Sequence, residues 1–373
     1  MWKLPDTLAR RFPLVARPRP SCLSLPQRIQ DLTALANSAA AHGDLSKAST
    51  VYNQAALIAS DIGDTATART WCRQHAAVYL DAAPLEAADA IRALEPVVNL
   101  VRLQMRTGNT DVGHQQLESL FNAVAAGRSA HLDGVTVPAG LVSTERDRRE
   151  VTTWLRAVVL ADGTRALTSA GRWGEALSHV QRHRGLGRRM LDGRQVAVLA
   201  ALLDADTAHA NHLLTHTEAG DVWEAAVTDC LTVLCLRSSD LGWRRPLHNL
   251  VDAYLTLPDR EGLTAFRSRL GLVVLDLLSS PEDSVAQQVV TDLCHHAART
   301  GDGYAARDVL SHPLGRELAT GGEVKECLRL LSSCALRTGE LPAEERAQLT
   351  EAVRQGDRTI HARLKQATAS ETL

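Results

Sequence analysis

One phrase recurs along the chain and limits what it can fold into. A helix-forming run ends at a glycine with a polar neighbour, and a second run opens on small residues. It reads AAHGDLSKAS around Gly43, MRTGNTDVGH around Gly108 and TSAGRWGEAL around Gly171. It returns as TEAGDVWEAA around Gly220, ARTGDGYAAR around Gly301 and LRTGELPAEE around Gly339. A glycine in this place supplies the left-handed residue that ends a helix. The polar residue after it caps the next helix. Each phrase therefore reads as a tight turn between antiparallel helices. Composition agrees: hydrophobic residues make up 45% but aromatics only 3%. Alanine and leucine dominate, the best helix formers, whereas sheet folds draw on Val, Ile, Tyr and Phe. The expected fold class is all-α.

Residues 32–60, LTALANSAAAHGDLSKASTVYNQAALIAS, resemble a tetratricopeptide (TPR) repeat. Leu35 and Ala36 match the large and small positions of its first helix, and Ala48, Tyr52 and Ala55 those of its second. The resemblance continues at Gly108, Gly171 and Gly301 and thins at Gly220 and Gly339, with irregular spacing between turns. It implies a TPR-like α-solenoid, a right-handed superhelix of antiparallel helix pairs with a concave inner face, and the periodic runs give about fourteen helices. The stretch VLADGTRALTSAGRW also resembles uncharacterised actinobacterial proteins, which implies no activity. An arginine-rich chain whose only lysines are Lys3, Lys47, Lys325 and Lys365 fits a GC-rich bacterial genome.

Five segments are expected. Residues 1–23 form a basic, proline-bearing, flexible arm; 24–126 and 144–367 form two TPR-like blocks; 127–143 connect them; 368–373 are a tail. GVTV within the connector is compatible with a strand or hairpin, but a surface loop is the expectation. Ser143 with Glu145 behind it opens the second block.

A net charge of −2 and a pI near 6.7 argue against a general nucleic-acid binder. The N-terminus has no apolar signal core, and LGLVVLDLL is too short to span a bilayer, so a non-membrane, cytoplasmic protein is expected. Seven scattered cysteines without a CxxC point the same way. No GxxxxGK[ST], HExxH or GxSxG is present, and no cofactor or catalytic residue is implied.

The resemblance to TPR proteins implies that the first helix of each pair lines the groove. Transferred through each glycine turn, the groove positions are Asn37, Arg102, Arg106, Arg165, His295, Arg299, Arg329 and Arg337. Asn37 fits the carboxylate-clamp pattern, whereas Thr33 stands where that family carries lysine. Planar guanidiniums grip carboxylates bidentately, so the expected partner is a protein or peptide with an acidic segment. The expected function is a non-enzymatic interaction scaffold. The alternatives are a cytoplasmic peptide- or small-ligand-sensing TPR regulator acting through a separate partner, and a component of a biosynthetic pathway. Arg188 and Arg189, in GLGRRM, form a secondary anion candidate. His209, His212 and His216 share one helix face, a weak metal candidate, with surface histidines the commoner outcome. Of Cys294, His295 and His296, only Cys294 suits a packing face. Arg10, Arg11, Arg17 and Arg19 are compatible with contact to nucleic acid or an acidic partner, but a basic disordered tail is the expectation.

Overall fold

The computed structural model describes residues 2–278, 280, 282 and 284–370, without the side chains of 367–370. It is all-α apart from one hairpin. The first helices are α1 (Asp6–Ala9), α2 (Leu25–His42), α3 (Leu45–Ile62), α4 (Thr65–Leu80), α5 (Ala87–Arg106), α6 (Thr110–Ala125) and α7 (Glu145–Val158). A π-helical turn, Val159–Gly163, leads to α8 (Thr164–Ser169), α9 (Trp173–Arg182), α10 (Asp192–Leu203), α11 (Thr207–Thr215) and α12 (Val222–Ser238). Then come α13 (Arg244–Leu255), α14 (Thr264–Leu278), α15 (Ser284–Thr300), α16 (Gly303–Ser311), α17 (Pro313–Leu318), α18 (Gly321–Cys334) and α19 (Ala343–Ser370). This exceeds the fourteen or so expected, because helices such as α1, α8 and α17, of six residues or fewer, leave no periodic run to read.

Five of the six glycine turns have the left-handed backbone: Gly43, Gly108, Gly171, Gly301 and Gly339 have φ between 59° and 92°. Gly220 does not. A Cβ there would meet the Glu224 carboxylate at 2.3 Å, so close approach explains this glycine. At two of the turns the polar residue caps the next helix, Asp44 accepting from the Lys47 N–H at 3.0 Å and Asp302 from the Tyr304 N–H at 2.8 Å, whereas Asn109 and Arg172 make no side-chain cap bond. The turn after α10 places Ala205 at φ 60°, with Asp206 capping α11. Alanine in the left-handed position hides this turn from a glycine-based reading.

The chain forms two compact units, residues 25–162 with 335–373, and residues 1–24 with 163–334. In the first, α2 to α7 each pack on the next, and α19 lies against α2, α3 and α4. Its core runs from Leu25 to Val159 and takes in Leu349, Val353 and Ile360 of α19. The last helix therefore completes the N-terminal block rather than extending the C-terminal one, contrary to the expected 144–367. Backbone bonds fix this return: the N–H groups of Arg337 and Gly339 donate to the carbonyls of Asp61 and Ile62 at 2.9 and 2.8 Å. Of the expected tail 368–373, α19 includes residues up to Ser370, and 371–373 lie outside the described residues.

The connector is a hairpin, not a plain loop. Strands β1 (Ala130–Leu132) and β2 (Val135–Val137) pair antiparallel. Asp133 and Gly134 between them, at φ 47° and 80°, form the two-residue turn that Asp-Gly favours. The Asp133 carboxylate accepts from Arg69 at 2.7 Å and Arg73 at 2.9 Å, which ties the hairpin to α4.

In the second unit, helices again pack mainly on their sequence neighbours, from α8 through α16. The N-terminal segment is not a free arm. Leu8, Phe12 and Leu14 are buried, and the Gln195 amide both donates to and accepts from the Leu14 backbone at 2.7 Å. Cys22 pairs with the start of α16: its N–H donates to Asp302 and its carbonyl accepts from the Gly303 N–H. Three apolar residues and a backbone clamp outweigh the basic, proline-rich composition that predicts flexibility.

Candidate functional site

The expected groove residues are divided between the units. Asn37, Arg102, Arg106 and Arg337 belong to the first, and Arg165, His295, Arg299 and Arg329 to the second. Several already have acidic partners. Arg102 grips Asp162 with Nε at 2.8 Å and Nη2 at 2.7 Å. Arg106 donates to Ser60 at 2.9 Å and lies 3.5 Å from Asp61. Arg299 pairs with Asp259, and Arg329 with Glu326. Asn37, His295 and Arg337 are exposed. Arg188 pairs with Glu218, and Arg189 with Asp221 and the buried Glu224.

His209, His212 and His216 are all exposed. The His212 and His216 rings lie 4.1 Å apart, and His216 Nδ1 sits 2.9 Å from the His212 carbonyl oxygen. Their helix leaves the three histidines on the surface, with the ring of His216 turned back onto its own backbone. The more buried imidazole is that of His296 rather than His295. It meets Asp259 at 3.3 Å beside Arg267, and burial pushes it below the ordinary histidine value. The niche beside it, lined by Trp223, Phe266 and Leu257, has a volume of about 30 Å³. That is space on the scale of one water.

Arg165 stands apart from the other expected residues. It lines a cavity of about 400 Å³ in the second unit, within the usual range of small-molecule sites. Four local stretches build the wall: Thr7 to Pro13, Arg165 and Ser169 of α8, Arg269 and Leu272 of α14, and Arg307 to His312 at the end of α16. On α14, Arg269, Leu272 and Asp276 fall at i, i+3 and i+7, one helix face.

The charges can be balanced residue by residue. Arg10 pairs with Asp6 at 2.7 Å and donates to the Ser169 carbonyl at 3.2 Å. Arg11 pairs with Asp276. Arg307 forks onto Asp308 at 2.7 and 2.9 Å. His312, buried, meets Asp276 through Nε2 at 2.8 Å, while its Nδ1 accepts from the Gly315 N–H at 3.3 Å. With Nδ1 turned to the Gly315 N–H, Nε2 is the ring nitrogen that faces Asp276. Arg165 and Arg269, both half-buried, have no carboxylate in contact among the described residues. Burial pushes the Arg269 guanidinium below its ordinary value, with only the through-space field of Asp308 opposing. Five guanidiniums thus face three carboxylates, an excess of two positive charges around one cavity.

Sequence reasoning singled out Arg165 but not Arg269 or Arg307, and it assigned Arg10 and Arg11 to a loose arm. One signal was available. Arg267, Arg269 and Asp276 interrupt the otherwise apolar FRSRLGLVVLDLL, and charges in a buried helix need partners or a purpose.

Comparison of the chain with protein-family models, curated proteins and solved structures finds no match. Among the described residues no helix is long and apolar enough to cross a membrane. The seven cysteines are buried, and no disulfide joins them.

Proposed function

We propose that this chain is a non-enzymatic, TPR-like helical-repeat regulator that senses a small anionic ligand and acts through a separate protein partner. One observation carries the reading: a ligand-sized cavity holding Arg165 and Arg269, whose charges no carboxylate contacts among the described residues. Two half-buried charges left this way are costly unless an anion meets them. The scaffold reading, an acidic peptide along an arginine-lined groove, has less support. Arg102, Arg106, Arg299 and Arg329 already hold acidic side chains of the chain itself. A peptide would have to displace each of them.

Thermal unfolding with succinate, inorganic phosphate and a neutral sugar at 10 mM tests the reading. An anion at 100 times its Kd adds about 2.7 kcal/mol to the folded state. A midpoint that rises with anions and not with the sugar, and less so in Arg165→Glu, is expected. A midpoint indifferent to every anion refutes it.

A further inference from the structure

We infer that the cavity takes a phosphomonoester of a small hydroxylated molecule, its phosphoryl group held by Arg165 and Arg269 and its organic body set against the hydroxyls of Thr7, Ser169 and Ser311. This rests on the anion-sensing reading above and names the ligand class for the same cavity.

Charge decides the first part. The lining and its ion-pair partners leave an excess of two positive charges, and both arise from guanidiniums without a contacting carboxylate. A phosphoryl ester carries about −1.5 to −2 at pH 7 and offers three acceptor oxygens in one compact group. Two planar forks can share those oxygens, whereas one carboxylate neutralises only one of them. Asp308, the sole acid in the lining, is already forked by Arg307 and does not contact Arg269.

Volume decides the second part. The cavity of about 400 Å³ far exceeds the share of one water, about 30 Å³, so a phosphoryl group alone would leave most of it unfilled. The wall that remains is mostly polar. Phe12, Pro13 and Leu272 are its apolar members, and all three are buried. Thr7, Ser169 and Ser311 are exposed at the rim, with no side-chain hydrogen bond to the protein among the described residues. A greasy body would strip water from these hydroxyls and return nothing, whereas a polyhydroxylated one replaces each lost bond.

The Arg11–Asp276–His312 chain makes the floor a fixed element. Asp276 is held by two partners, and burial is outweighed by them, so its carboxyl lies below the usual carboxylate range. It stays ionised and keeps Arg11 occupied, so binding falls to Arg165 and Arg269.

The test is calorimetric titration of the full chain with glucose 6-phosphate, inorganic phosphate, glucose and succinate. We expect glucose 6-phosphate to bind at least tenfold tighter than inorganic phosphate or succinate, and glucose not to bind. Affinity should fall below pH about 6, where the phosphoryl group takes up a proton. Arg165→Met and Arg269→Met should each weaken it about 10- to 100-fold, the range of a charge-assisted hydrogen bond. Circular dichroism checks that each variant folds, and Arg165→Lys provides a milder second variant on α8. Succinate equal to glucose 6-phosphate, with no fall below pH 6, overturns the phosphomonoester and leaves the anion-sensing reading standing. No binding of any anion overturns both. Binding that Arg165→Met and Arg165→Lys leave unchanged overturns the assignment to this cavity.

Discussion

Asp292→Ala tests what holds the second unit together at α13, α14 and α15. The Asp292 carboxylate accepts from Arg267 at 3.1 and 3.2 Å and from the Tyr254 hydroxyl at 2.8 Å. Tyr254 is fully buried, and the Arg267 side chain is only 8% exposed. Burial, with Asp292 adding to it, pushes the Tyr254 phenol far above its usual range, so it remains a donor at any working pH. Removing one member of a buried ion pair costs about 3–5 kcal/mol. Here the loss is reduced, because Arg267 retains the Leu257 carbonyl and Asp259 at 3.5 Å, although the Asp259 side chain is 37% exposed. The expected cost is therefore about 3 kcal/mol, near the low end of that range. Tyr254→Phe removes only the neutral donor and leaves Asp292 on Arg267, so about 1 kcal/mol is expected. The double variant should cost little more than Asp292→Ala, because the Tyr254–Asp292 bond is lost only once. Hydrogen exchange of peptides from α14 and α15 reads these values unit by unit, which a global melt of a two-unit chain does not. About 3 kcal/mol corresponds to more than 100-fold faster opening. A Tyr254→Phe penalty equal to that of Asp292→Ala would refute the reasoning, because the hydroxyl and not the charge pair would then dominate.

His75 is fully buried, stacked on Tyr52 at 4.8 Å, and neither ring nitrogen has a hydrogen-bond partner. Burial pushes it down to about 3, so the unfolded chain binds its proton first and stability falls as pH drops from about 6.5 toward 3. His75→Phe keeps the stack, should be neutral or stabilising at pH 7, and should flatten that fall by up to about 1.4 kcal/mol per pH unit; denaturation at pH 7 and 4.5 reads the difference. In Gly271→Ala the new Cβ would meet the Tyr254 hydroxyl at 2.4 Å, so a loss of about 1–3 kcal/mol in urea denaturation is expected. Asp133→Ala releases Arg69 and Arg73 together, so hydrogen exchange of the hairpin should rise while α5 is unchanged.

Turn chemistry is local, and so it was legible. A left-handed glycine followed by an Asx cap leaves its mark within five residues, as at Gly43–Asp44 and Gly301–Asp302. The same turn at Ala205–Asp206 escaped because an alanine bears the strain. Which helices meet is not local. Nothing near Gly339 signals that its N–H will donate to the Ile62 carbonyl, nor anything near Gln195 that its amide will clamp Leu14. The candidate site follows the same division. Arg165 was legible because it lies at a countable distance before the Gly171 turn. Arg10, Arg269 and Arg307 reach the same cavity through tertiary packing alone, each from a segment more than a hundred residues from Arg165 in sequence. A count of arginines treats all five as equivalent. The structure separates them by the carboxylates each one touches: Arg10, Arg11 and Arg307 are held, and the excess charge resides on Arg165 and Arg269. Any anion that enters is expected to be read by those two side chains, because among the described residues no carboxylate contacts either of them.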